Sequence, residues 1–84
     1  MVSYYLTCRS LTYAQRVSRA LTTARIKNYI VRTPQSLSVE GCGYAVRTNV
    51  ASLTQVLDTL NEARLPPKKV YSSMGNGQFE EVDW

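Results

Sequence analysis

Residues 43–73 read GYAVRTNVASLTQVLDTLNEARLPPKKVYSS, and this stretch decides the fold. Tyr44–Arg47 has the β-branched and aromatic content of a short strand. Asn49 stands where an N-cap belongs. Leu53, Val56, Leu57, Leu60 and Ala63 then recur at helical spacing and predict an amphipathic helix over about residues 50–64. Leu65-Pro66-Pro67 stops it, because proline lacks an amide N–H and clashes with the preceding turn. Lys69–Met74 returns to strand character. The unit is strand, helix, strand.

The N-terminal half has the same order. Val2, Tyr4, Leu6 and Cys8 alternate onto one face of a strand at Ser3–Cys8. Ser10 is a second N-cap candidate. Leu11, Ala14, Val17, Leu21 and Ala24 form one apolar stripe and predict a helix over residues 11–26, with Arg16, Arg19 and Arg25 off the stripe and solvated. Asn28 ends that pattern. Tyr29–Arg32 is β-like, Thr33-Pro34 breaks it, and PQSLSVEGCG (34–43) reads as a loop. Beyond residue 74, Gly75-Asn76-Gly77 is a turn signal, and Gln78–Val82 can fold back as a short fifth strand. Nothing in the pattern places Trp84.

The order β-α-β-β-α-β predicts an α+β fold of ferredoxin-like type, a single domain over residues 1–84. Its antiparallel sheet has strand order 4-1-3-2, with both helices on one face. The other face is left bare, and Tyr5 and Tyr71 have the parity to lie on it. A homodimer through that face is therefore expected, since exposed aromatic patches mark contacts.

Composition limits the chemistry. Hydrophobic residues make up 44% and charged residues 19% of the 84, too apolar a balance for disorder. The absence of histidine excludes Ser-His-Asp and Cys-His pairs and histidine metal sites. Cys8 and Cys42 are too few for a disulfide scaffold or for a zinc or iron–sulfur site in one chain, so neither a metal nor another cofactor is expected. No apolar run reaches signal-peptide or membrane-spanning length, so the expected location is the cytoplasm, with no membrane partner. The net charge of +4 divides into +6 over residues 1–39, which hold no acid, and −2 over residues 40–84. A basic half attracts anions, but it equally describes a solvated helix face.

The predicted topology brings the cysteines together. Strand 1 ends at Cys8, and strand 3, beside it and opposite in direction, begins after Gly41-Cys42-Gly43. The start of the first helix, at Ser10–Thr12, lies at the same end. Helix N–H groups and the cation of Arg9 would stabilise a thiolate there. Gly41 and Gly43 remove bulk around Cys42 and leave it open to a partner. Both cysteines can also be read as inert small hydrophobes. Of the two, Cys8 is in phase with Leu6 and suits burial, whereas Cys42, in a polar loop, suits reaction.

Several segments together carry a resemblance: Tyr4-Tyr5-Leu6 followed by Ser10, Thr33-Pro34, Ser36-Leu37-Ser38, Cys42-Gly43-Tyr44-Ala45-Val46 and the closing Val70-Tyr71. In these the chain resembles the selenium/sulfur carrier protein-like family of small bacterial proteins, over nearly its whole length to about residue 74. Gly41 stands where the family usually has a serine, and Gln35 where an arginine often follows Thr-Pro. The resemblance implies that Cys42 carries sulfur or selenium as a persulfide or selenosulfide, passed between donor and acceptor proteins. It implies a carrier or binding protein rather than a turnover enzyme. Cys8 is the candidate resolving thiol, and Arg9, Ser10, Gly41 and Gly43 are the candidate binding residues around the pair.

Two other classes compete with it. One is a nucleic-acid-binding module with structural cysteines. Strand 3, GCGYAVRT, lacks the paired sheet-face aromatics that stack bases in an RNA-recognition domain, which disfavours it. The other is a small-ligand module of the same fold, for which the lone Gly41-x-Gly43 is weak support. Asp58 and Glu62 read as a solvated i,i+4 pair rather than as acid/base groups.

Overall fold

The computed structural model describes residues 2–34, 37, 43–49, 53–75 and 77–83. Its elements run β1 (Ser3–Cys8), α1 (Leu11–Thr23), β2 (Tyr29–Arg32), β3 (Tyr44–Thr48), α2 (Leu53–Glu62), β4 (Lys69–Ser73) and β5 (Phe79–Glu81). The sheet order is β2-β3-β1-β4-β5. All four neighbouring pairs are antiparallel. This is the ferredoxin-like α+β sandwich that the sequence predicts, with the fifth strand added at the β4 edge.

The core lies between one sheet face and the two helices. Leu6, Cys8, Val46 and Val70 come from the sheet, and Ala14, Val17, Leu21, Val56 and Leu60 from the helices, all fully buried. Alternation puts these strand residues on one side because successive side chains point to opposite faces. Burying each of the larger apolar side chains stabilises the fold by about 1.5–3 kcal/mol.

The first helix starts where Ser10 predicts. Its side-chain oxygen accepts from the Tyr13 N–H at 3.1 Å, satisfying one of the first-turn amides. The stripe is narrower than expected. Leu11 in the first turn is 41% exposed and Ala24 is exposed, so Ala14, Val17 and Leu21 carry the packing. Arg16, Arg19 and Arg25 are solvated, as their positions off the stripe imply.

Both helices end earlier than apolar periodicity suggests, and for the same reason. Arg25 and Arg64 have left-handed backbones, with φ of 62° and 59°. After α1, the Arg25 N–H donates to the Thr22 carbonyl and the Ile26 N–H to the Leu21 carbonyl, both at 2.9 Å. After α2, the Arg64 N–H donates to the Asn61 carbonyl at 3.1 Å and the Leu65 N–H to the Leu60 carbonyl at 2.9 Å. Each exit is a Schellman motif, and its hydrophobic pair is Leu21 with Ile26 or Leu60 with Leu65. The segments LTTARI (21–26) and LNEARL (60–65) carry the same signal.

The side-chain oxygen of Asn49 accepts from the Ser3 hydroxyl at 2.6 Å. Residues 50–52, which the predicted start of this helix includes, lie outside the described residues, as does Trp84.

The helix-free face also follows from register. One row across it reads Tyr29, Arg47, Tyr5, Tyr71 and Glu81, in the spatial order of the strands. Tyr5 and Tyr71 therefore lie on the face their parity predicts.

Candidate functional site

The end of the sheet where β1 finishes is assembled from four strands. Cys8 pairs with Tyr44 at the start of β3, Tyr44 pairs with Arg32 at the end of β2, and Thr7 pairs with Lys69 at the start of β4. The Thr33 N–H donates to the Gly43 carbonyl at 3.1 Å and carries the β2–β3 ladder one residue further. The start of α1 stands at the same end, two residues after Arg9.

Thr7 fastens β4 in place. Its hydroxyl accepts from the Lys69 N–H at 2.9 Å and donates to the Lys69 carbonyl at 3.2 Å. Its own carbonyl accepts from the Lys68 N–H at 2.8 Å. Lys69 also pairs with Glu81 at 3.8 Å, across the partly exposed edge formed by β5.

The described candidate residues stand in different surroundings. Cys8 is fully buried in the core, on the helix-covered side of the sheet, and its thiol donates to the Leu6 carbonyl at 3.4 Å. Burial is what its phase with Leu6 predicts. The guanidinium of Arg9 rests over the Tyr13 ring, 4.9 Å from the centroid, and that of Arg32 lies 5.9 Å from the Tyr44 centroid. Both arginines are exposed at this end. Ser10 is occupied as the helix cap. Gly43 is exposed, and a Cβ added there would meet nothing within 4 Å. Cys42 and Gly41 lie outside the described residues.

Sequence reasoning did not single out the side chain of Thr33. It is 9% exposed, and its hydroxyl is buried without a hydrogen-bond partner. An unsatisfied buried hydroxyl costs about 1–3 kcal/mol, so it calls for a physical reason. Thr33 reads locally as a strand breaker before proline, and only the strand register brings it next to Gly43.

A neighbouring cleft is lined by Arg9, Tyr13, Pro66, Pro67 and Lys68. The Tyr13 hydroxyl closes one side by donating to the Pro66 carbonyl at 2.6 Å. Among the described residues, no group of three or more cysteine, aspartate or glutamate side chains is arranged to hold a metal ion. No helix among them is long and apolar enough to cross a membrane.

The fold and this strand end define a small ferredoxin-like α+β protein in which Gly43, the residue after Cys42, leads into the central sheet at the end where the first helix begins. Residues 3–72 match the family described as Putative Se/S carrier protein-like, and the chain belongs to that family. No curated protein and no solved structure matches the chain.

Proposed function

We propose that the protein is a thiol carrier for sulfur or selenium, with Cys42 as the carrying group. The observation that carries this reading is the family match, whose span includes Cys42. The surroundings support it. Gly43, the next residue, is exposed with open space about it. The first-turn N–H groups of α1 and the guanidiniums of Arg9 and Arg32 make the same sheet end electropositive, which favours a thiolate. The orphan hydroxyl of Thr33 is a donor suited to a sulfur anion.

The chemistry is two thiol exchanges. The Cys42 thiolate attacks the terminal sulfur of a donor persulfide. An S–S bond forms, the donor's S–S bond breaks, and the donor leaves as a thiolate, so no net oxidation occurs. An acceptor nucleophile then takes the terminal sulfur and returns Cys42 to a thiolate. A selenosulfide donor delivers selenium by the same exchange. Alternatively, Cys8 attacks the inner sulfur of Cys42, forming a disulfide and expelling hydrosulfide. For that step β1 has to open, because the Cys8 thiol is fully buried. The carrier acts by protein contact in a reducing compartment, the cytoplasm, and not as a turnover enzyme.

Incubation with a cysteine desulfurase and cysteine, followed by intact-mass measurement, tests the reading. Wild type should gain the mass of one sulfur, and Cys42→Ser should gain none. A Cys8→Ser variant that loads but no longer forms the disulfide supports the resolving step; unchanged release removes it. Thr33→Val keeps the shape and deletes the orphan hydroxyl, so it should fold at least as stably as wild type yet load more slowly. No adduct on wild type contradicts the carrier reading.

A further inference from the structure

We propose that Arg9 and Arg32 are the two anchors of a docking surface for an acidic segment of a partner protein, set on either side of β3, the strand that follows Cys42 in sequence. This deepens the carrier reading and rests on it only for the chemistry that follows docking. Arg32, Tyr44 and Cys8 are paired across β2, β3 and β1, and Arg9 follows Cys8. Two strand spacings, about 10 Å of backbone, therefore separate the two arginines. Gly43 enters β3 between them.

Each guanidinium is ordered by an aromatic ring. Arg9 lies 4.9 Å from the Tyr13 centroid and Arg32 lies 5.9 Å from that of Tyr44. Both tyrosines are half-buried against the core, and the Tyr13 hydroxyl is tied to the Pro66 carbonyl. Stacking on a fixed ring orders a guanidinium and leaves the N–H donors of its planar fork for other partners. Among the described residues no carboxylate pairs with either arginine, whereas Lys69 takes Glu81. Residues 1–39 contain no acid at all. Two exposed, pre-ordered forks thus have no anion among the described residues.

Charge selects the occupant, and the stacked rings narrow its class. A planar guanidinium binds a carboxylate through two parallel N–H···O bonds, so a segment with two or more carboxylates can engage both forks. Nucleic acid also carries anions, but its bases need open aromatic faces, and here guanidiniums cover the Tyr13 and Tyr44 rings. Long-range attraction brings an acidic donor or acceptor to the sheet end where Gly43 enters, and like charge keeps basic surfaces away.

Fluorescence anisotropy with a labelled peptide that alternates glutamate and serine, and has no cysteine, tests docking apart from sulfur transfer. Both arginines are exposed, and circular dichroism verifies that each variant folds. Wild type should bind the peptide, and affinity should fall as salt rises. Arg9→Glu combined with Arg32→Glu should weaken binding at least about 10-fold. Arg9→Lys and Arg32→Lys keep the charge and lose the fork, so each should weaken it about 2–5-fold. Arg19→Glu combined with Lys27→Glu makes the same charge change at exposed cations two turns along α1 and ahead of β2, away from this end. At about 0.1 M salt that pair should change affinity by about 2-fold at most. The same peptide carrying one cysteine persulfide then reports transfer to Cys42. Docking without transfer upholds this inference and removes the carrier reading. Transfer at one rate to wild type and to the Arg9→Glu, Arg32→Glu variant upholds the carrier reading and overturns this inference. So does an acidic peptide that wild type fails to bind, an equal loss in the Arg19→Glu, Lys27→Glu variant, or tighter retention of single-stranded RNA through the same two arginines.

Discussion

The two halves of the chain leave their helices by the same backbone turn and secure the exit by different means. After α1, the turn at Arg25 is pinned by Asn28. Its Oδ1 accepts from the Ser18 hydroxyl at 2.5 Å, and its Nδ2 donates to the Ile26 carbonyl at 2.9 Å and the Thr22 hydroxyl at 3.1 Å. A longer contact reaches the Ser18 carbonyl at 3.4 Å. After α2, the turn at Arg64 runs into Pro66-Pro67, which have restricted backbones and no N–H to satisfy. There one hydrogen bond, from the Tyr13 hydroxyl, ties the connection to the other helix. One exit is held by a polar network, the other by covalent restriction. The second leaves its neighbourhood as an open cleft beside the cysteine end of the sheet.

The largest effect should come from what the exits share. Leu21→Ala and Leu60→Ala each remove a fully buried side chain at the anchoring position of the turn, and each should cost about 2–5 kcal/mol in chemical denaturation. Similar losses would confirm the equivalence; a difference of several kcal/mol would break it. Next, the unlike parts should separate the two exits. Asn28→Ala strips partners from several groups at once and should cost about 1–3 kcal/mol, whereas Tyr13→Phe, at an exposed bond that water can replace, should cost about 0.5–1.5 kcal/mol. A larger loss for Tyr13→Phe would reverse the contrast. The smallest effect should be a gain. Arg25→Gly and Arg64→Gly relieve a left-handed backbone at a side-chain-bearing residue, and each should raise stability by about 0.5–1 kcal/mol in thermal melts. Destabilisation by either would mean that the arginine side chain contributes more than its backbone costs.

Most of the architecture is legible in the sequence because it rests on periodicity and punctuation. Alternation at Tyr4, Leu6 and Cys8, the cap at Ser10, and the stripe through Ala14, Val17 and Leu21 are local signals, and the sheet order follows from their sequence. The helix ends were less legible. Arginine is an ordinary helix residue, and its left-handed backbone is imposed by the Leu-x-x-Ala-Arg-apolar context, visible only when the two halves are aligned. Asn49 reads as a cap by residue type, and its bond from Ser3, distant in sequence, has no local signal. At the candidate site, the burial of Cys8 was readable from its phase. The orphan hydroxyl of Thr33 was not, because it depends on a pairing with Gly43 across the whole cysteine loop. The aromatic row with Arg47 at its second position likewise needs the registers of all five strands.

Peptide mapping after sulfur loading tests the central claim most directly. The protein is treated with a persulfide donor, alkylated so that sulfane sulfur is retained, digested and sequenced by mass spectrometry. The account predicts one additional sulfur on the peptide containing Cys42 and none on the peptide containing the buried Cys8. Sulfur on Cys8 alone, or on neither cysteine, would contradict it.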